Sequence, residues 1–223
     1  MRVSELARIT GLDRAVTKRC VYTLMQLGIV EARGKKYALS SGVLSLGHAY
    51  FSSSEIVIKS QICLDELGSE INNNLSLVIM NGMELVYLSR YQSKRLTGTN
   101  IGMGTRLPMY CTSVGRALLS SLSDEELHEY LEATDLHHYT ERTVTNKSRL
   151  KEIIKETRGK GFCIVDQELE TGLIGIGMPI KISGIEAPLA LNITADVKRT
   201  PASNIEELYL GKLRELAEKL SLL

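Results

Sequence analysis

The stretch VSELARITGLDRAVTKRCVYTLMQLGIVEARGKKYALS, residues 3–40, decides how this chain is read. Val3, Leu6, Ala7 and Ile9 form a short helical face that stops at Gly11. Asp13 stands where a second helix needs an acceptor for its free N–H groups. In that helix Val16, Cys20, Val21, Leu24 and Leu27 recur at three- and four-residue steps and predict an inward stripe. Arg14, Thr17, Lys18 and Arg19 are then left on the opposite face. After Gly28, IVEARGKKYALS reads as two short strands turning at Arg33-Gly34, with Arg33, Lys35 and Lys36 at the tip. Helix, glycine turn, polar helix and basic hairpin make the order of a winged helix-turn-helix. Its second helix enters the major groove, and the hairpin cations meet phosphates. A small helical hairpin with a solvated basic face fits the same residues.

Charge separates the two readings. Residues 1–48 hold eight basic side chains against Glu5, Asp13 and Glu31, five positive charges in net. The remaining 175 residues are four negative, since the whole chain of 223 residues carries +1. A basic end on an acidic body predicts a polyanion partner at that end alone. No window offers the eighteen apolar residues of a membrane helix, and no signal peptide opens the sequence. The four cysteines are scattered without a C-x-x-C pair, which argues against a zinc knuckle or a disulfide framework and for a cytoplasmic protein with reduced thiols.

Beyond the hairpin, residues 45–72 read as a long helical stretch that Ser52 to Ser54 break or bend. LSLVIMNGMELVYLSR alternates around Asn81-Gly82 and predicts a β-hairpin. A third strand is expected through Thr97–Met103. Ser123 with Glu126 is a capping box for the helix DEELHEYLEA, another helix follows at about 147–160, and GFCIVD, LIGIGMPIK and PLALNIT are strands. Asn204 with Glu207 caps a closing helix. Strands, helices, strands and a helix describe an α+β sheet domain.

Three stretches bear on chemistry. PMYCTSVGRALL, residues 108–119, places Cys111, Thr112 and Ser113 at a helix start, where unpaired N–H groups attract anions. A nucleophile there needs a base, and the chain has only His48, His128, His137 and His138, with no G-x-S-x-G elbow; a small-molecule-binding module or an enzyme acting on a small carboxylate is the alternative reading. Arg106 supplies a forked donor suited to carboxylates, Tyr110 a phenol, and Arg116 falls one turn into the helix, on an outward face. Plain helix capping serves these residues equally well. The glycine run GLIGIG, residues 172–177, lacks the following helix of a phosphate loop and reads as a strand that leaves room for a ligand or another backbone. Asp166 and Glu168 in DQELE order a loop or offer acceptors to a ligand. No metal or cofactor is expected.

Taken in order, LARITGLDRAVTKRCVYTLMQLGIVEARGKKYALSSGVLSLGHAY, GTRLPMYCTSVGRALLS, RGKGFCIVDQELETGLIGIGMPI and ALNIT resemble the IclR-type bacterial transcriptional regulators over nearly the whole chain. LPMYCTSVGR, DQELE and LNIT have the look of the branch that senses protocatechuate, hydroxybenzoate and similar aromatic acids. The resemblance implies a winged helix-turn-helix domain over 1–46, a linker helix over 47–72, and an effector domain over 73–223. That last domain would be similar to a GAF fold, with a mainly antiparallel sheet. It also implies homodimers or tetramers on operator DNA that respond to a small organic acid. Carried over by matched motif, the pocket draws on Leu96, Thr99, Leu107, Ser113, Val114, Val165 or Asp166, Gly175, Asn192 and Thr194. Arg106 and Tyr110 join them on their chemistry. The family places a further helix before the stretch that opens this sequence, and a weakened N-terminal domain is the expectation that follows.

Overall fold

Local signals dictate the ends of the first elements. The computed structural model describes residues 1–94 and 101–222. It divides into two units, Met1–Ser54 and Glu55–Leu223. In the first, α1 (Val3–Thr10) ends at Gly11, whose φ of 68° closes the helix in the left-handed region. α2 (Arg14–Gln26) is capped by Asp13, whose carboxylate accepts from Ala15 N at 2.7 Å and Val16 N at 3.4 Å. β1 (Val30–Arg33) and β2 (Lys36–Leu39) pair antiparallel from Val30↔Leu39 to Arg33↔Lys36, and Gly34 takes the turn with φ 62°. α3 (Val43–Ser53) completes the unit.

The inward stripe of α2 differs from the periodicity reading. Thr17 and Val21 are its buried residues, whereas Cys20, Leu24 and Leu27 are exposed. Thr17 therefore faces inward, with its hydroxyl on Asp13 O at 2.9 Å. The physical reason is partner geometry. α2 packs mainly on α1 and β1, so one narrow face is covered and Cys20, Leu24 and Leu27 stay in solvent. Ile9, Leu12, Tyr22, Leu39, Leu44, Leu46 and Tyr50 are exposed as well.

The second unit is built on a six-stranded antiparallel sheet of order β5-β4-β3-β8-β7-β6. Its elements are α4 (Glu55–Ile71), β3 (Asn74–Asn81), β4 (Glu84–Tyr91), β5 (Arg106–Pro108), α5 (Ser113–Ser120), α6 (Asp124–Ala133) and α7 (Lys147–Lys160). β6 (Cys163–Asp166), β7 (Leu173–Ile180), β8 (Leu189–Asp196) and α8 (Ile205–Ser221) follow. The β3–β4 turn carries Gly82 at φ 64° as its first central residue, the type II′ arrangement. Ser123 and Glu126 form the reciprocal cap of α6, at 3.2 and 2.8 Å. At α8, Asn204 sits at the cap position but its side chain makes no cap hydrogen bond; its Oδ1 accepts from Ser203 Oγ instead. The third strand lies at Arg106–Pro108 rather than through Thr97–Met103: residues 101–103 are not strand, and 97–100 lie outside the described residues.

α4 and α8 pack on one face of the sheet and α5 on the other. Cross-strand pairs share a face, so the registers sort the side chains. Leu75, Leu77, Leu191, Ile193 and Ile176 line the α4/α8 side, all fully buried. Asn74, Ser76, Asn192, Thr194, Gly175 and Gly177 occupy the α5 side. α5 can lie against this polar side because β7 has no side chains at Gly175 and Gly177. A Cβ on Gly177 would stand 2.6 Å from Ser113 C and O, and one on Gly175 would stand 2.6 Å from Ser113 Oγ. Beyond that contact Val78, Tyr110, Val114, Leu118, Leu127, Leu150 and Ile154 form the core under α6 and α7.

Candidate functional site

The start of α5, the open end of the polar sheet face and the β6–β7 loop line a half-open pocket, about 540 Å³ of empty space with the open solvent at its mouth included. Thr112 caps α5, accepting from Gly115 N at 3.1 Å, and Ser113 is the first helical residue. Ser113, Gly175, Asn192, Thr194 and Val165 all line the cavity. Asn192 is 5% exposed; its Nδ2 donates to Thr194 Oγ1 at 3.0 Å, while its Oδ1 is buried without a hydrogen-bond partner among the described residues. A native fold leaves few such acceptors unmatched, which makes this one a candidate for a ligand's donor.

Five other expected pocket residues lie elsewhere. Arg106 projects from the sheet edge, donating to Glu84 at 2.7 Å and to Asn81 O at 3.2 Å, because β5 pairs with the outer side of β4. Leu107 and Val114 pack into the core under α6. Tyr110 is buried in the same core, its hydroxyl donating to His137 O at 2.8 Å and accepting from His137 N at 2.9 Å. Asp166 is ion-paired with Arg142 at the surface. Leu96 and Thr99 lie outside the described residues.

Arg116 corrects its own expectation. It is 2% exposed and inward, because every residue of α5 is buried and the helix has no outer face. Its Nη2 donates to Glu168 at 2.6 Å and its Nε to Tyr110 O at 2.7 Å. Glu168 also accepts from Val144 N at 2.9 Å, and Thr143 and Thr140 donate to the main-chain oxygens of Glu168 and Gln167. Gln167 sits at φ 59° within this web. The buried pair thus holds the DQELE loop as one wall of the cavity.

Cys111 also lines the cavity, but burial pushes its thiol up to about 12 from an ordinary 9.0. A thiol kept protonated is the opposite of an activated nucleophile. Among the described residues no group of His, Cys, Asp and Glu could hold a metal ion, and no helix is long and apolar enough to cross a membrane.

Residues that the sequence pattern passed over are Asn74, Tyr87 and Arg90. Tyr87 and Arg90 are three apart on one strand, which in regular alternation puts them on opposite faces. The register slips by one between Leu77 and Val78, pairing Leu77 with Ser89 and Val78 with Tyr87. That β-bulge turns both side chains to the cavity side.

On the first unit, Arg14, Lys18 and Arg19 are exposed along α2, and Lys35 and Lys36 at the hairpin. Arg33 is exposed too and leans on Glu31 at 2.6 Å. Thr17, buried, is not among the exposed groups.

Comparison with known proteins assigns both parts of the chain to one family. Residues 48–222 match the model of the bacterial transcriptional regulator IclR C-terminal domain, and residues 1–34 match the IclR helix-turn-helix domain. The chain belongs to the IclR family of bacterial transcriptional regulators. It is 36% identical over 211 residues to the Pca regulon regulatory protein of Pseudomonas putida, covering 94% of this chain and 72% of that protein. A transcriptional regulator from Rhodococcus sp. RHA1 superposes with a TM-score of 0.78 at 36% identity, covering all of this chain and 89% of that one. The inducer-binding domain of a PobR double mutant from Acinetobacter, solved with 3-hydroxybenzoic acid, gives 0.69 at 27% identity over 75% of this chain and 98% of its own. IclR-family membership makes this a DNA-binding regulator and not an enzyme, with a helix-turn-helix head and an antiparallel sheet body.

Proposed function

We propose that a small organic acid, of the aromatic acid class, binds in the cavity beside α5 and sets the affinity of the chain for operator DNA. The observation that carries this reading is the buried Asn192 Oδ1, without a hydrogen-bond partner among the described residues, in a cavity floored by a helix start. The likeness to a Pca regulon regulator and to an inducer-binding domain holding 3-hydroxybenzoic acid supports the ligand class. Ser113, Val165, Gly175, Asn192 and Thr194 form the ligand site. On the head, Arg14, Lys18 and Arg19 read or flank the major groove while Arg33, Lys35 and Lys36 contact phosphates. The exposed Leu44, Leu46 and Tyr50 of α3 support pairing of copies, so that a homodimer or tetramer presents two heads to a two-part operator in the cytoplasm. The ligand acts by binding one arrangement of heads better than the other.

The test is binding to DNA from upstream of the protein's own gene, across about 50 to 200 mM salt, with and without 3-hydroxybenzoate, 4-hydroxybenzoate or protocatechuate. Specific binding, steep in salt and shifted by at least one acid, is expected. Lys35→Ala with Lys36→Ala should flatten the salt slope by about 0.9 per lost phosphate contact and leave acid binding untouched. Equal affinity for unrelated DNA, or indifference to every acid, would refute the reading.

A further inference from the structure

The registers lay a polar row across the cavity side of the sheet: Arg90 on β4 faces Ser76 on β3, which faces Asn192 on β8 and then Gly177 on β7. Two strand spacings, roughly 10 Å of backbone, separate Arg90 from Asn192. The row ends in a cation on one side and an orphan acceptor toward the other.

Arg90 is half-buried and its Nε is fully buried with no hydrogen-bond partner among the described residues. Its Cζ stands 5.4 Å from the ring centroid of Tyr87, which also lines the cavity. It is the one cation among the described lining residues. No carboxylate of the described residues is ion-paired with it, in contrast to Arg116, which Glu168 neutralises. Glu170 adds an acceptor to the far wall. The strand position of Arg90 is also locked. Gln61 of α4 accepts from Arg90 N at 3.1 Å and donates to Arg90 O at 3.0 Å, and the next residue, Ser89, shares a 2.8 Å hydrogen bond with Ser60. Burial lowers the guanidinium from its usual value, so an anion beside it is favoured over water. A half-buried guanidinium that hydrogen-bonds the Tyr87 side chain and keeps its Nε–H without a partner among the described residues can receive a planar carboxylate.

We propose that Arg90 is the specificity-determining anchor for the effector's carboxylate, with Asn192 Oδ1 accepting a hydroxyl hydrogen at the other end of the same molecule. The assignment rests on the effector reading above and names the residue that selects acids over neutral analogues. It moves the carboxylate away from the start of α5, which then meets the ligand's ring or hydroxyl.

Calorimetric titration of the full chain tests it, using 4-hydroxybenzoate, 3-hydroxybenzoate, protocatechuate, benzoate and the neutral 4-hydroxybenzamide. Wild-type protein should prefer a hydroxylated acid to benzoate. Arg90→Met should weaken that acid by about 10- to 150-fold, the range of a lost charge-assisted hydrogen bond, and leave the amide within about threefold. Arg90→Lys, which keeps the charge but loses the fork, should fall between. If a folded Arg90→Met binds the acid like wild type, Arg90 is not the anchor, while the effector reading stands. If wild-type protein binds none of the acids, the effector reading falls and the anchor with it. Should Arg90→Met fail to fold, the Nε–H resonances of wild-type arginines decide: a shift with the acid and not with the amide supports the assignment, and no shift overturns it.

Discussion

Two glycines on one strand face should fail differently when each becomes alanine. Gly177→Ala puts a methyl 2.6 Å from the carbonyl carbon and oxygen of Ser113 and 2.8 Å from Val114 N. Those are backbone atoms of a helix start, so α5 must lift off β7. Overpacking of this kind costs about 1–3 kcal/mol, and the stiffer unfolded chain returns roughly 0.4–1. The net, about 1.3 kcal/mol at mid-range, lowers Tm by about 3–5 °C for a unit of this size. Gly175→Ala meets only Ser113 Oγ at 2.6 Å, a hydroxyl that can swing to another rotamer. Its stability should stay within about 0.5 kcal/mol of wild type. Its methyl enters the cavity floor and displaces Ser113 Oγ, so acid affinity should drop about tenfold or more. Calorimetric unfolding and calorimetric titration read the two effects; the chain has no tryptophan to report either by fluorescence. Equal Tm losses in the two variants, or an unchanged Tm for Gly177→Ala, would show that α5 does not rest on β7 as described.

Two further outcomes are expected. Arg116→Met or Glu168→Gln alone should each destabilise by about 3–5 kcal/mol, since each leaves a charged or polar group buried without its partner. The double variant Arg116→Met with Glu168→Gln should lose less than the sum of the singles in urea unfolding, and a strictly additive result would count against a coupled pair. Stability should also fall from about pH 9 toward pH 12. The folded chain holds protons on Cys111 and Tyr130 up to about 12, while the unfolded chain releases them near the ordinary 9.0 and 10.0. The unfolded state then binds fewer protons, so each group contributes a loss of about 1.4 kcal/mol per pH unit inside its window. A flat stability profile over that range would contradict the burial of these groups. In line with it, iodoacetamide at pH 8 should alkylate the exposed Cys20 and spare Cys111, as read by mass spectrometry.

Legibility followed the range of the interactions. The Asp13 cap, the Ser123–Glu126 box, the glycine turns at 34 and 82 and the helix over 147–160 rest on bonds within a few residues, so their motifs carry the answer. The order of those elements, together with the basic first 48 residues, was enough for a winged helix-turn-helix on an α+β body. Local pattern was also enough to read the GLIGIG run as a strand with space left above it.

Other features depended on what packed where. Thr17 looked polar and outward, yet α2 has a single covered face and Thr17 lies on it. Arg116 looked like a surface cation until α5 was enclosed on all sides, and Arg106 suited a carboxylate until β5 took the sheet edge and gave it Glu84. Leu96 and Thr99 lie outside the described residues, so their expected part in the pocket is not placed. The decisive case is Arg90. Strand alternation from Tyr87 assigns it to the wrong face, and only the register slip opposite Leu77 and Val78 returns it to the cavity. A bulge is set by how two strands pair across the sheet, and no motif in either strand records it. The sequence by itself determined most of the elements and their order, because those arise from contacts between near neighbours; the edge strand β5 and the start of α8 were the exceptions. The tertiary structure alone decided which side chains meet in the cavity, because facing residues there come from five strands and a helix brought together only when the sheet closes over α5.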